Sequence, residues 1–284
     1  MPLVSSLQML REATEKGYAV GAYNILNELT ARAVVRACEE MRTPVILQTS
    51  TSTVKQIGIN DIMGFLRSIA ENTDIPVSVH LDHCKDLDLC RACVDAGWPS
   101  IMVDASHLPL DENIAKTREI VEYAAKKGVS VEGELGAISG VEDDISVSDS
   151  ESHLASLKDS ITFTEQTGVD LFAPAIGTAH GMYKGEPKLD FDRFDEIKQA
   201  VSQPLVIHGG TGLLPEVFKK LIGLGASKIN ISTALKIAYL SGIKAFMAEN
   251  PDNSNPLKLD AYVEKCIMNM AREHNEIFGA KDVI

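Results

Sequence analysis

Three of the seven histidines stand at the same kind of place in the chain. His83 falls near the end of the run 77–84, VSVHLDHC; His180 follows the apolar stretch 170–176; His208 follows Leu205-Val206-Ile207 and opens a glycine-rich turn. Apolar, β-branched runs of this length read as buried strands. Each imidazole is therefore delivered at the C-terminal end of a strand. Neutral imidazole is a common zinc ligand, and three of them leave one position for water or a substrate oxygen. The alternative is three histidines satisfied separately.

Acids lie beside them. Asp82 immediately precedes His83 and offers either a proton shuttle or an acceptor that orients a histidine. Asp104 and Glu134, also at strand ends, offer hard oxygen ligands for an alternate metal position, or groups that support the imidazoles. Glu142 lies in the acidic, serine-rich stretch 137–151, near Gly140 and Asp143-Asp144. It is either a base that arrives when a loop closes or part of a solvated charge run. His80 is expected on the opposite face of its strand or packed locally, and His107, His153 and His274 as structural or exposed.

Two more stretches suit binding. Gly209-Gly210-Thr211-Gly212 and Asn230-Ile231-Ser232-Thr233 follow the seventh and eighth strands. Glycines let backbone N–H groups approach an anion, and Thr233 starts a helix whose N-terminus is positive. Both features at those two strands indicate a phosphate site.

The elements that must position these groups alternate along the whole chain. Strands are expected at 18–23, 44–48, 77–84, 100–103, 129–134, 170–176, 204–207 and 227–231. Helices are expected at 7–16, 28–42, 60–72, 87–96, 111–127, 152–167, 190–201, 215–224, 233–249 and 260–278. Strict alternation means parallel strands joined by right-handed crossovers. Eight such units in 284 residues fit a single closed (β/α)8 barrel domain, residues 1–284, with extra terminal helices. A doubly wound open sheet is the runner-up, but the first strand is not followed by Gly-x-Gly-x-x-Gly. In a barrel the loops after the strands form the active face, and Asn24, Ser50, Asp82, His83, Asp104, Glu134, His180, His208 and Asn230 all fall there.

Composition narrows the partners. A net charge of -13 argues against nucleic acid, whose phosphates need basic surfaces, yet leaves room for an anionic small substrate in a locally positive pocket. No run is apolar enough to span a bilayer, and Met1-Pro2-Leu3-Val4 leads straight into a polar helix, so a cytoplasmic protein with reduced thiols is expected. Cys90 and Cys93 form a C-x-x-C pair, but within a helical stretch and with no second pair, which favours packing over metal or redox use.

At these residues the sequence resembles the class II, zinc-dependent ketose-bisphosphate aldolases, which include fructose-1,6-bisphosphate and tagatose-bisphosphate aldolases. The resemblance runs from Gly21-Ala22-Tyr23-Asn24 to the C-terminal helix. It is carried by Val79-His80-Leu81-Asp82-His83, by 102–107, by Glu132-Gly133-Glu134-Leu135-Gly136, by 175–181 with Tyr183, by His208 to Gly212, and by 228–233. It implies zinc held by His83, His180 and His208, with dihydroxyacetone phosphate bound to the zinc through its carbonyl and hydroxyl oxygens. The phosphate would lie against Gly181, Gly209, Gly210, Thr211, Asn230, Ile231, Ser232 and Thr233, with a monovalent cation (Na+ or K+) nearby. Asp82 would donate the proton to the aldehyde oxygen in condensation, and Glu142 would move the proton at the neighbouring carbon. Asn24 and Ser50 resemble substrate contacts. A homodimer or homotetramer is the assembly so implied.

The implied reaction is reversible cleavage of fructose or tagatose 1,6-bisphosphate to dihydroxyacetone phosphate and glyceraldehyde 3-phosphate. No Schiff-base lysine stands at a strand end, since Lys228 begins the eighth strand. The alternatives are an aldolase for another phosphorylated ketose, a non-catalytic partner subunit and a zinc hydrolase barrel. A partner subunit tends to lose the ligands, which are all present here. Hydrolase barrels usually carry His-x-His on the first strand, which 18–24 lacks. Three departures from the family pattern bear on the aldehyde half. They are Ser50-Thr51-Ser52-Thr53 where a glycine-rich turn is usual, Ser139-Gly140-Val141-Glu142 where Gly-Gly is common, and Pro174 in the sixth strand.

Overall fold

In a computed structural model of the chain, eight parallel strands close into a barrel. The structure describes residues 3–142, 145–147, 153–183, 185 and 187–284; of 141, 142 and 145–147 it describes the backbone alone. The barrel strands are β1 (Val20–Asn24), β2 (Val45–Ser50), β3 (Val77–Cys84), β4 (Ser100–Val103), β5 (Ser130–Leu135), β8 (Leu171–Pro174), β10 (Leu205–Ile207) and β11 (Ala226–Ile231). Around the ring they run β1-β11-β10-β8-β5-β4-β3-β2, so the first and last strands close it, with Val20 opposite Lys228 and Tyr23 opposite Ile231.

Prolines mark where several strands begin. Pro76, Pro99 and Pro204 precede β3, β4 and β10, and their carbonyls accept from Val45, Ser130 and Phe172 of neighbouring strands or their approaches. Proline has no N–H to give a ladder, so the first position of a strand suits it. The helix α1 (Ser6–Lys16) covers the end of the barrel away from the strand C-termini: Val4 N donates to Val77 O, and the hydroxyls of Ser6 and Ser78 lie 2.8 Å apart. The helix α2 (Glu28–Met41) starts at a capping box in which Asn27 Oδ1 accepts from Thr30 N and Asn27 N donates to Thr30 Oγ1. The helices α10 (Thr233–Glu249) and α11 (Pro256–Ile277) pack together, and α11 also lies on α2.

Two elements depart from the expected pattern. The stretch after β2 is a helix, α3 (Thr51–Ile57), followed at once by α4 (Ile59–Glu71). Its serines and threonines suggest a turn because such side chains compete with helix hydrogen bonds; here Ser50 caps the helix instead, its Oγ accepting from Thr53 N. The stretches read as long loops after the fifth and sixth strands carry a second, small sheet. In it β6 (Ser139–Glu142) pairs antiparallel with β7 (Ile145–Val147) and parallel with β9 (Ala179–His180). Residues 143, 144 and 148–151 of the acidic stretch lie outside the described residues. The sixth barrel strand ends at Pro174, so His180 is carried by β9 and not by the barrel strand itself.

Candidate active site

Alternation along the barrel strands decides what enters the interior. On β3, Ser78, His80 and Asp82 share one face; on β5, Ser130, Glu132 and Glu134; on β11, Ala226, Lys228 and Asn230. The interior is therefore stacked with polar groups beneath the mouth. His80 belongs to this stack on the same face as Asp82 and packs locally there, the second of the two expectations for it. It is fully buried, with Nδ1 2.7 Å from Ser100 Oγ and Nε2 3.6 Å from Glu132 Oε2.

Strict alternation would send His83 away from Asp82. It does not, because β3 slips by one residue against β4: Leu81 pairs with Ile101 and Cys84 with Val103. Three steps on one strand match two on the other, which is a bulge, and His83 adopts φ 45° within it. A non-glycine residue at positive φ is strained. Here the strained residue turns its ring toward the mouth beside Asp82.

The Asp82 carboxylate is held by amides from three strands. Asn24 Nδ2 donates to Oδ2 at 2.7 Å, Gln48 Nε2 to Oδ2 at 3.3 Å and Asn230 Nδ2 to Oδ1 at 3.3 Å. Gln48 Nε2 also donates to Asn24 Oδ1 at 2.6 Å. Asn24 and Asn230, expected to contact substrate, thus give their amide nitrogens to Asp82. Ser50, likewise expected as a substrate contact, stands at the start of α3, where its Oγ accepts from Thr53 N at 3.4 Å.

The three imidazoles converge. Ligating atoms of His83, His180 and His208 lie within 4.8 Å of one another, and all three rings are buried. His83 Nδ1 donates to Asp104 Oδ2 (3.1 Å), which Ser106 Oγ also reaches through Oδ1 (2.8 Å). His208 Nε2 donates to Glu132 Oε1 (2.8 Å), and Glu132 Oε2 accepts from Lys228 Nζ (2.8 Å). His83 and His208 thus each spend one nitrogen on a carboxylate and turn the other inward. The two inward atoms, His83 Nε2 and His208 Nδ1, stand 2.7 Å apart. At that distance the two nitrogens share a proton in a hydrogen bond, and a metal cation would take the place of that proton among the three converging imidazoles.

Glu134 completes the cluster. Its Oε2 lies 3.4 Å from His208 Nδ1 and 3.9 Å from His83 Nδ1, and has no hydrogen-bond partner among the described residues. His83, Asp104 and Glu134 form a second group with ligating atoms within 4.8 Å, in keeping with the alternate metal position.

The charges of this cluster favour a cation. Burial alone would lower His83, but the charges of Asp82, Glu134 and Asp104 and the hydrogen bond to Asp104 hold it well above the ordinary imidazole range. Burial, then the charge of His83, pushes His180 and His208 well below it. Burial would raise Asp104, yet the hydrogen bond and charge of His83 and the hydrogen bond from Ser106 hold it below the usual carboxylate range. Burial and the neighbouring Asp104 push Glu134 up to about 8.

Close backbone approach shapes the rest of the mouth. A Cβ on Gly140 (φ 107°) would collide with the His180 carbonyl, so glycine is what lets β6 lie against the strand carrying that histidine. Gly209 (φ 68°) likewise abuts the Ala179 carbonyl. Tyr183 ties the two turns: its hydroxyl accepts from Ala179 N (3.1 Å) and donates to Gly209 O (2.8 Å). Gly210 lies against Asn230 O, Thr211 Oγ1 accepts from Ala234 N, and Ile231 ends β11 just before α10 begins at Thr233. Ser232 is 5% exposed, and its hydroxyl is buried with no hydrogen-bond partner among the described residues. Gly181 follows His180 directly on this rim. The side chain of Glu142 lies outside what the structure describes; its backbone ends β6.

Gln48, Glu132 and Lys228 were not picked out from the sequence. The signal was present as parity: Gln48 shares a face with Ser50, Glu132 with Glu134, and Lys228 with Asn230.

Residues 4–283 match the family described as fructose-bisphosphate aldolase class-II. The chain belongs to that family. Among solved structures it is similar to the YdjI aldolase of Escherichia coli K12, with 33% identity and a TM-score of 0.88 over 99% of this chain and 98% of that one. A Coccidioides immitis protein provisionally assigned as a fructose-1,6-bisphosphate aldolase matches at 27% identity and TM-score 0.88, covering 98% of this chain and 96% of that one. The Campylobacter jejuni fructose-bisphosphate aldolase, at 20% identity, shares the fold with TM-score 0.85 over 99% and 96% of the two chains. Membership in the class II aldolase family makes the chain a carbon–carbon lyase, and the mouth of its barrel the place to look for the chemistry. Among the described residues no helix is long and apolar enough to cross a membrane.

Proposed function

We propose that the chain is a zinc-dependent aldolase that reversibly cleaves a ketose 1,6-bisphosphate, fructose or tagatose, to dihydroxyacetone phosphate and glyceraldehyde 3-phosphate. The observation that carries this reading is the convergence of His83, His180 and His208, two of them backed by carboxylates, beside an Asp82 that three amides hold in place. Bound to these three residues, zinc would act as a Lewis acid toward the substrate carbonyl.

The chain's own residues do the rest. In cleavage the C4 hydroxyl gives its proton to Asp82 as the C3–C4 bond breaks, its electron pair passing to the carbonyl side and C4 leaving as the aldehyde. Glu142 then returns a proton to C3. Condensation reverses both transfers. The amides of Asn24, Gln48 and Asn230 fix the direction in which Asp82 presents its oxygen, and positioning of this kind is a large share of proton-transfer catalysis. Gly181, Gly209, Gly210, Thr211 and residues 230–233 receive the phosphate of the dihydroxyacetone phosphate half. Support comes from the buried Ser232 hydroxyl and the N-terminus of α10, which together favour an anion. The small phosphorylated sugar is the only partner the chemistry requires; the exposed Ile237, Leu240 and Met247 on α10 support a homo-oligomer.

The test is an assay of both bisphosphates with zinc measured on the same sample. About one zinc per chain is expected of a three-histidine site with an open position. Chelation should abolish cleavage and zinc restore it. Cleavage by the chelated protein, or an imine trapped by borohydride, overturns the reading.

A further inference from the structure

The mouth has a second chamber that the phosphate turns and the histidines leave unused. It is a cavity of about 640 Å³ that begins at His83 and lies between α3 and the end of β3. Its α3 wall is Thr51, Ser52, Lys55 and Gln56, and its other wall is Lys85 and Asp86.

Where it lies follows from strand order. The phosphate turns follow β10 and β11, and the cavity follows β2 and β3. Around the ring, β2 and β3 each stand three strand positions from β10 and β11 respectively, where four of the eight would be diametrically opposite. The three histidines stand between. A linear sugar with one phosphate at the β10 and β11 turns and its carbonyl at the histidines must send its far end across the mouth, toward this cavity.

What the cavity can hold follows from its walls. Ser52 and Gln56 offer a hydroxyl and an amide group to a polyhydroxylated chain. Lys55 and Lys85 add two cations; among the described residues neither is in an ion pair, and Lys85 also lies within electrostatic reach of Asp104. The single acid of the wall, Asp86, turns its Oδ1 to the backbone N–H groups of Asp88 and Leu89 at the start of the next helix. In a chain of net charge -13, two such lysines facing one cavity beside the reacting centre form a local positive field. The strand-end sequence that replaces the usual glycine-rich turn with Ser50 to Thr53 is the same one that builds α3 and brings Lys55 to the cavity.

We infer that this cavity is the subsite for the aldehyde half of the substrate, and that Lys55 and Lys85 select aldehydes ending in an anionic group, a phosphate or a carboxylate. The inference rests on the aldolase reading and adds to it the residues that recognise the far end.

The test is condensation by the metal-loaded enzyme of dihydroxyacetone phosphate with three aldehydes: glyceraldehyde 3-phosphate, tartronate semialdehyde and neutral D-glyceraldehyde. Wild type is compared with Lys55→Gln, Lys85→Gln and the double variant. The readout is the ratio of kcat/KM for each charged aldehyde over D-glyceraldehyde. Each single variant should lower that ratio about tenfold and the pair about a hundredfold, since each removes one hydrogen bond to a charged group. The charged aldehyde with the larger fall names the anion. Equal falls for charged and neutral aldehydes, or no fall, overturn the subsite, as does a wild type that condenses D-glyceraldehyde without preferring either charged aldehyde. A wild type that condenses none of the three, and does not exchange the hydroxymethyl proton of dihydroxyacetone phosphate with deuterium, overturns the aldolase reading itself and the subsite with it.

Discussion

At the scale of single residues, the proposed reaction divides the labour between side chains that would hold the metal and side chains that would move protons. Asp82 is hydrogen-bonded to amides and not to the imidazoles. Its removal should therefore spare metal binding. Asp82→Ala is expected to keep its zinc while cleavage falls about 10²–10⁴-fold, the range for losing a positioned acid–base group. It should still exchange the hydroxymethyl proton of dihydroxyacetone phosphate with deuterium, whereas Glu142→Ala should bind that ligand and fail to exchange it. Zinc content, turnover and proton-exchange NMR separate the two roles. Normal exchange in the Glu142 variant would move that role to Glu134. The histidines and Asp82 were legible in the sequence because their residue types are rare at strand ends. The bend at His83 was not, because a positive φ in a residue with a side chain is imposed by the slip of β3 against β4, a pairing between strands and not a property of either one.

At the scale of elements, the barrel's interior below the mouth is polar where aliphatic layers are usual. Glu132 and Lys228 are both fully buried and paired, with Glu132 also accepting from His208. Breaking a buried pair by removing one partner typically destabilises by about 3–5 kcal/mol, while replacing both by uncharged groups is often neutral. Lys228→Met alone should therefore lower the denaturant midpoint sharply, and Glu132→Gln with Lys228→Met should recover most of it. Zinc affinity should not recover. Loss of a carboxylate that orients a ligating histidine weakens metal binding about 10–100-fold, measured by competition with a chelator. A double variant that binds zinc as tightly as wild type would show the pair to be structural only. The pairing itself was hidden because Glu132 and Lys228 lie on strands far apart in sequence, and only period-two parity hinted that both face inward. The small sheet was hidden for a related reason: β9 has two residues and β6 has four, too few for a pattern, and what stabilises them is the fit of Gly140 against His180.

At the scale of the whole molecule, folding of the barrel and binding of the proposed zinc should be linked thermodynamically. A ligand that binds only the folded state adds about 2.7 kcal/mol at a free concentration a hundredfold above its Kd. For a chain of this size that is a rise in melting temperature of roughly 5 °C. Adding zinc to chelated protein should produce such a rise, and His208→Ala should keep its circular dichroism while losing most of the response. A wild-type melt indifferent to zinc would argue that the histidines do not hold it in the folded protein. The barrel was readable from the alternation of strands and helices because that pattern repeats over the full length and errors at single boundaries do not disturb it. The added helix after β2 and the early end of β8 at Pro174 changed the local path without changing the ring.

The three amides that grip Asp82 come from the first, second and last strands of that ring. Asn24 and Gln48 are synthesised before Asp82, and Asn230 long after it. A chain folding from its N-terminus can set two of the three bonds early, but the third must wait for β11, the strand whose pairing with β1 also shuts the barrel. Contacts so distant along the chain form slowly. Full seating of the carboxylate and closure of the ring thus belong together in folding time: a partly folded chain, however much helix it has already made, does not yet have all three amides on Asp82.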